Sequence, residues 1–147
     1  MLQLTIGEAL EGTIDTGNHY LYLYREKEVI FYIGRSTSPF DRLQEHLGRG
    51  LYFRPPSLLG MLILAHAPDS FSWEMELRTI EECKELICSY RPEYYEWYLQ
   101  QMNKRLAREA SEMAEEVLIE YYRPHLNIMG NSQRQPLPER YRYKLFK

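Results

Sequence analysis

Two runs rich in aromatic and β-branched residues stand near the start of the chain and are separated by a charged tetrapeptide. The runs are HYLYLY, from His19 to Tyr24, and VIFYIG, from Val29 to Gly34, with REKE between them. Such residues favour strands, and a short charged connection is typical of a hairpin. The pattern therefore predicts two antiparallel strands joined by a turn centred on Lys27.

Alternation along these strands divides their side chains between two faces. Because Tyr22 and Tyr32 lie at equal distances from Lys27, we expect them to pair across the hairpin. The more polar face is then expected to carry Tyr20, Tyr22, Tyr24, Ile30 and Tyr32. The other face, which we interpret as the core face, carries Leu21, Leu23, Phe31 and Ile33.

A helix is expected directly after the hairpin. Gly34 ends the second strand, a Ser/Thr/Pro loop follows, and the helix runs from about Pro39 to Leu47 before GRG closes it. Residues at i and i+4 lie on the same side of a helix. Arg42 and His46 are therefore expected to point in the same direction.

The remaining elements follow from periodicity and from proline. A short buried helix is expected from Ser57, and the alternating segment SFSWEMELRTI predicts a third strand within residues 70–80. Helices are expected over residues 82–90 and over 93–122, the latter as one helix or two, until Pro124 ends the helical region. The polar tail ends in RYRYKLF, a strand-like sequence.

These elements predict an α/β (α+β) fold with a small three-stranded antiparallel sheet flanked by helices. The length of 147 residues fits one domain over 1–147. We expect a core of about 19–80 and 108–128, a helical insertion of about 82–107 and a basic tail over 130–147.

Composition narrows the class of protein. The chain is 44% hydrophobic and 27% charged, and no apolar run approaches the roughly 20 residues of a membrane-spanning helix. The first residues lack a basic region followed by a long apolar stretch, so no signal peptide is expected. The spacing of Cys83 and Cys88 fits neither a zinc site nor a disulfide scaffold. We therefore expect a cytoplasmic protein with reduced thiols and no membrane association.

The net charge of −3 argues against a generally basic nucleic-acid-binding surface but leaves room for a local basic groove. The charge is unevenly distributed, since Glu139 is the only acidic residue near the tail cations Arg134, Arg140, Arg142, Lys144 and Lys147. The tail is either a strip that contacts a nucleic-acid backbone or a strand or frayed terminus.

Four blocks occur in order along the chain. They are YLY at Tyr20–Tyr22, YIG at Tyr32–Gly34, Arg42 with His46, and AEEVLIEYYRPHLN at residues 114–127. Together they resemble the GIY-YIG nuclease family, whose core is a small three-stranded antiparallel sheet flanked by helices. The first tripeptide is a variant, because Tyr20 stands where the family often has glycine.

The resemblance implies a set of catalytic residues. Glu115 occupies the metal-ligand position and is expected to hold one Mg²⁺ (or Mn²⁺) that keeps most of its waters. Arg42 is expected to bind the scissile phosphate, and His46 to hydrogen-bond a tyrosine or the phosphate and to assist proton transfer. Tyr22 is the expected general base, with Tyr32 positioning water or phosphate.

The resemblance also implies substrate-binding positions. These positions are Gly34, Arg35 and Asn127. Arg35 stands directly after Gly34, where relatives often have lysine, and is expected to contact the phosphate. Asn127 occupies the family's asparagine position, where it fixes a loop or a water. From spacing alone, Glu115 also fits a solvated helix face, because other glutamates lie nearby at Glu112, Glu116 and Glu120.

The function that follows is a metal-dependent endonuclease that hydrolyses DNA phosphodiester bonds. The alternatives are a structure-specific or RNA-directed nuclease, or a non-cleaving nucleic-acid-binding or assembly subunit that retains the fold. Partners are expected to be nucleic acid, with a homodimer or a protein partner also open. The aromatic segment SYRPEYYEWYLQQ either stacks on bases or packs on the sheet or on a second subunit.

Overall fold

The computed structural model describes residues 1–12, 17–50, 54–104 and 106–145. Its strands are β1 (Leu2–Thr5), β2 (Tyr20–Glu26), β3 (Val29–Ser36) and β4 (Glu74–Thr79). Its helices are α1 (Ile6–Glu11), α2 (Pro39–His46), α3 (Leu58–Ala65), α4 (Lys84–Tyr90), α5 (Pro92–Asn103), α6 (Ala107–Tyr122) and α7 (Glu139–Leu145). The mixed α/β class is confirmed, and the long helical segment consists of two helices, α5 and α6.

Over the residues that the structure describes, the sheet has four antiparallel strands in the order β1-β4-β2-β3, so the prediction of three strands is wrong. The additional strand, β1, pairs with β4 and places Leu2 opposite Leu77. It has only four residues and ends at Thr5, which begins α1 with a capping box. Such a short, half-exposed strand carries too few positions for an alternating pattern to reveal it.

The register of the hairpin differs from the predicted one. Tyr22 lies opposite Gly34 and Tyr24 lies opposite Tyr32, so the predicted pairing of Tyr22 with Tyr32 is wrong. The reason is a β-bulge: Arg25 pairs with Ile30, which leaves Phe31 as an extra residue between two paired positions. Equal distance from the turn therefore does not identify which residue pairs with Tyr22 across the hairpin.

The bulge also exchanges the faces of two side chains. Phe31 packs with the tyrosines of β2, whereas Ile30 packs with Leu21 and Leu23, the reverse of the predicted arrangement. An inserted residue reverses the alternation beyond it, because side chains change face with each residue.

Both faces of the sheet are buried, so the expectation of a more polar tyrosine face is wrong. On that face Tyr22 and Tyr24 are 1% and 0% exposed and pack with residues of α1, α2, α3 and α7. On the opposite face, Leu21 and Leu23 pack with residues of α4, α5 and α6. The helices of the expected insertion thus cover one side of the sheet.

The aromatic side chains of that helical segment divide between core and surface. Tyr98 is fully buried and its hydroxyl donates to the carbonyl of Ile80, as the packing alternative predicts. Trp97, the preceding residue, is 40% exposed.

Within the tail, Glu139–Leu145 form the helix α7, so the strand-like interpretation of RYRYKLF is wrong for its described residues, 140–145. Tyr141 is buried, with its ring centre 4.9 Å from that of Phe31 and 5.7 Å from that of Trp73. Arg140 lies over the Tyr141 ring and Arg142 pairs with Glu139. Alternating aromatic and basic residues over so short a segment do not distinguish a strand from a helix that buries one side chain.

Two expectations from composition concern membranes and thiols. Within the described ranges, none of the helices is long and apolar enough to cross a membrane. Cys83 and Cys88 are both free, the first buried and the second exposed.

Candidate active site

The site begins where the Tyr22 ring crosses Gly34 on the neighbouring strand. A Cβ atom at position 34 would overlap the phenol oxygen and the adjacent ring carbon of Tyr22. Glycine at this position is therefore required by the close approach of an aromatic ring. The tyrosine of YLY and the glycine of YIG form one structural unit.

Helix α2 brings His46 to this unit. Its Nε2 atom lies 3.3 Å from Oη of Tyr22, and its ring centre lies 5.3 Å from that of Tyr32. The rings of Tyr22 and Tyr32 are stacked, with centres 6.2 Å apart. The structure thus brings together three of the residues that the sequence assigned to one site.

His46 is held on its other side by the residue that begins α3. Its Nδ1 atom lies 2.6 Å from Oγ of Ser57, and the backbone N–H of Ser57 donates to the carbonyl of His46 at 2.9 Å. His46 is 4% exposed, and burial, with the nearby charge of Arg42, lowers its pKa to about 4. The imidazole is therefore neutral at neutral pH.

Arg42 lies one helical turn before His46 and supplies positive charge at the edge of the cluster. Its Nη1 atom donates to Oε2 of Glu45 at 2.7 Å, and its side chain is 42% exposed. Burial and the neighbouring Tyr32 raise the pKa of Tyr22, and the charge of Arg42 opposes this increase. In the protein alone Tyr22 is a neutral phenol, so a role as general base requires additional positive charge.

Glu115 reaches the same region from α6. Its Oε1 lies 3.8 Å from Nε of Arg35, whose Nη2 lies 3.4 Å from Oε1 of Glu112. The carboxylate of Glu115 contributes to the raised pKa values of Tyr22 and Tyr32, which is a sign of their proximity.

Glu115 differs from the glutamate that follows it. The side chain of Glu115 is 30% exposed, and burial raises its pKa although Arg35 acts in the opposite direction. Glu116 is exposed. Burial disfavours the charged form of a carboxylate. Of these two adjacent glutamates, Glu115 is therefore the one whose negative charge a nearby cation would stabilise.

The donor set at Glu115 suits an ion that keeps its waters. Among the described residues, no three side chains of His, Cys, Asp or Glu form a group that could hold a metal. Magnesium is commonly bound through one or two carboxylates with several waters retained, so a single carboxylate is compatible with it. Since the charge of Arg35 does not fully offset the burial of Glu115, a divalent cation at this carboxylate fits the site.

Asn127 fixes the edge of β3. Its Oδ1 accepts from the N–H of Ile33 and its Nδ2 donates to the carbonyl of Ile33, both at 2.8 Å. The two preceding residues add backbone bonds, from His125 to the Ile30 carbonyl and from Leu126 to the Phe31 carbonyl. Both polar groups of the Asn127 side chain are thus bound to the strand that carries Tyr32.

Two residues at the site escaped the sequence reasoning. Ser57 gave only the signal of a helix start, which carries no information about a contact with α2. Tyr24 packs edge-on against Tyr22 and His46, and its buried hydroxyl has no partner among the described residues. Alternation placed Tyr24 on the same face as Tyr22 and is the signal that could have identified it.

Replacing Gly34 by Ala is expected to destabilise the protein by about 1–3 kcal/mol, because the added methyl displaces the Tyr22 ring from a packed core. Urea denaturation measures this free energy. In a Tyr22→Ala background the same replacement is expected to be neutral or to stabilise by about 0.5 kcal/mol, since Ala restricts the unfolded chain. Equal costs in the two backgrounds would contradict the close approach.

Replacing Asn127 by Ala is expected to cost about 2–3 kcal/mol, because it leaves a buried N–H and a buried carbonyl of Ile33 without partners. The matched control is Asn103→Ala at the exposed end of α5, with an expected change within about 0.5 kcal/mol. Chemical denaturation of both variants tests the contact. Equal free energies of unfolding for Asn127→Ala and Asn103→Ala would refute it.

The free energy of unfolding is expected to fall as the pH drops from about 6.5 to about 4. In that range the unfolded chain protonates His46 and the folded protein does not, so acid favours unfolding. The contribution is at most about 3 kcal/mol. The free energy of unfolding is measured by denaturation at several pH values. The loss toward acid pH should be the same in the native protein and in the control His19→Gln, and smaller in His46→Gln. An unchanged pH dependence in His46→Gln would contradict the prediction.

Comparison of the chain with protein-family models, with curated proteins and with solved structures gives no match. The likeness to the GIY-YIG family therefore stays a prediction from the residues.

Proposed function

We propose that this chain is a metal-dependent endonuclease that hydrolyses DNA phosphodiester bonds at the site formed by β2, β3, α2 and α6. The observation that carries the proposal is the contact between Tyr22 and His46, with Tyr32 stacked beside them and Arg42 at their edge. Tyrosines, a histidine and arginines from separate elements converge on one corner of the sheet, next to a partly buried carboxylate.

Hydrolysis of a phosphodiester requires an activated water and neutralisation of charge on the phosphoryl group in the transition state. Arg42 offers a permanently charged, planar donor fork on a partly exposed side chain. Arg35, 31% exposed, offers a second fork next to Glu115. These two arginines are the proposed ligands of the scissile phosphate.

Tyr22 is the proposed acceptor of the proton from the attacking water. Its buried oxygen faces Nε2 of His46, and the charge of Arg42 favours the phenolate. A divalent cation held by Glu115 would supply the further positive charge that the phenolate and the phosphate require. Tyr32, stacked on Tyr22 and less deeply buried, is the proposed positioning group for water or phosphate.

DNA is the proposed substrate class, in line with the family resemblance. Because the net charge is −3, contacts to a nucleic-acid backbone are expected to be concentrated near Arg35 and Arg42. A second copy of the chain or a protein partner would extend the contact area.

The test is incubation of the purified protein with plasmid DNA, single-stranded DNA and RNA in the presence of Mg²⁺, Mn²⁺ or EDTA. Nicking of DNA is expected with either metal and is expected to stop with EDTA. Glu115→Ala and Arg42→Ala are each expected to reduce the cleavage rate about 100-fold or more, because each removes charge stabilisation from the transition state.

Matched controls distinguish the site from general charge effects. Glu116→Ala and Arg49→Ala change exposed neighbours of the same charge and are expected to cleave at the native rate. Undiminished cleavage by Glu115→Ala and Arg42→Ala would overturn the site assignment. Binding of DNA with no cleavage of any substrate would overturn the nuclease proposal in favour of a binding subunit.

A further inference from the structure

The first turn of α3 is built around His46, a residue of the preceding helix. The N–H of Ser57 donates to the carbonyl of His46 at 2.9 Å. A Cβ atom at Gly60 would overlap that same carbonyl, so glycine is needed for the first turn to lie this close. The backbone of His46 is thus fixed against α3 on two sides, and the remaining contact concerns its ring.

The hydroxyl of Ser57 contacts two groups. Its Oγ accepts the N–H of Gly60 at 3.1 Å, which is the N-cap bond of α3, and lies 2.6 Å from Nδ1 of His46. Bonds in which an N–H group donates to oxygen usually span about 2.7–3.2 Å, and the 2.6 Å between Oγ and Nδ1 is shorter than that range. With one lone pair used by Gly60, the hydroxyl hydrogen is free to point at Nδ1.

We propose that Ser57 is a positioning residue of the active site: its hydroxyl donates to Nδ1 of His46 and thereby places the imidazole hydrogen on Nε2, from which it is donated to the Tyr22 oxygen. The imidazole is neutral and acts as a hydrogen-bond donor to Tyr22. Since a donor to the phenol oxygen favours phenolate, Ser57 supports the basicity of Tyr22 without touching the substrate. The consequence for catalysis rests on the proposed nuclease function, whereas the tautomer does not.

The two tautomers differ in which hydroxyl hydrogen lacks a protein acceptor among the described residues. With the hydrogen on Nε2 it is that of Tyr22 as long as the phenol is neutral, and with the hydrogen on Nδ1 it is that of the half-buried Ser57. If Nδ1 carried the hydrogen, Ser57 would accept from both Gly60 and His46, and its own hydrogen would have no protein acceptor among the described residues. Tyr22 would then donate to His46 at Nε2, which stabilises the neutral phenol. Because His46 is 4% exposed, the contacts with Ser57 and Tyr22 decide its tautomer rather than bulk water.

The tautomer is measured in the free protein by long-range ¹H–¹⁵N NMR of the histidine rings at neutral pH, with His46 assigned by its absence in His46→Gln. The native protein and Ser57→Thr, which keeps a hydroxyl, are expected to show the hydrogen on Nε2. Ser57→Asp keeps a helix-capping acceptor but can only accept from the ring, and is expected to shift the hydrogen to Nδ1.

The proposal is overturned by a native protein with the hydrogen on Nδ1, or by Ser57→Asp with an unchanged tautomer. Ser57→Ala measures loss of the cap and of the ring contact together, so it is compared with Ser57→Asp, in which the cap is retained. Circular dichroism establishes that each variant is folded before its tautomer is read.

Plasmid cleavage provides the second arm. Ser57→Asp is expected to cleave about 10-fold more slowly and Ser57→Thr within about threefold of the native rate, because a group that orients the proton-transfer chain affects the chemical step. Native cleavage by Ser57→Asp with a shifted tautomer would overturn the catalytic part of the proposal and leave the nuclease standing. An inactive native protein with the hydrogen on Nε2 would refute the nuclease function and support the positioning geometry.

Discussion

The close approach of the Tyr22 ring to Gly34 is the contact on which the site depends. Opposite residues of an antiparallel pair normally fill the space above the strands with two side chains. Here Gly34 has no side chain, and the ring of Tyr22 occupies the space above it. From there its hydroxyl reaches Nε2 of His46 and its face stacks on Tyr32. A missing side chain on one strand thus directs a buried hydroxyl toward a helix.

The bulge at Phe31 makes this arrangement compatible with a sheet covered on both faces. One extra residue places Phe31 with the tyrosines and Ile30 with the leucines, so each face carries large apolar groups. Helices α1, α2, α3 and α7 cover one face and α4, α5 and α6 cover the other. The charged side chains of the candidate site, Arg35, Arg42 and Glu115, lie at the rim of the sheet beside β3, α2 and α6, whereas Tyr22 and His46 are buried.

Rules that depend only on neighbouring residues predicted the elements whose signals lie within a few residues of the chain. The strands of the hairpin, the helix that carries Arg42 and His46, and the start of α3 at Ser57 all follow from propensity, turn residues and capping. These rules did not predict the bulge, the pairing of Tyr22 with Gly34 or the strand β1, because register and edge pairing are decided by contacts distant in sequence. The candidate residues differ in the same way. The i, i+4 spacing gives the direction of Arg42 and His46, and the motif resemblance selects Glu115, whereas only tertiary packing places Ser57 against His46.

The segment from His125 to Asn127 has a consequence for how the molecule meets copies of itself. An exposed strand edge is a template for pairing with other chains. Along β3 that template is occupied by the backbone of His125 and Leu126 and by the side-chain amide of Asn127. The backbone carbonyl of Asn127 in turn accepts from Nδ2 of Asn131. The opposite border of the sheet is β1, only four residues long. The border beside the candidate site is thus closed to strand addition along residues 30–33, so the sheet does not grow from that side.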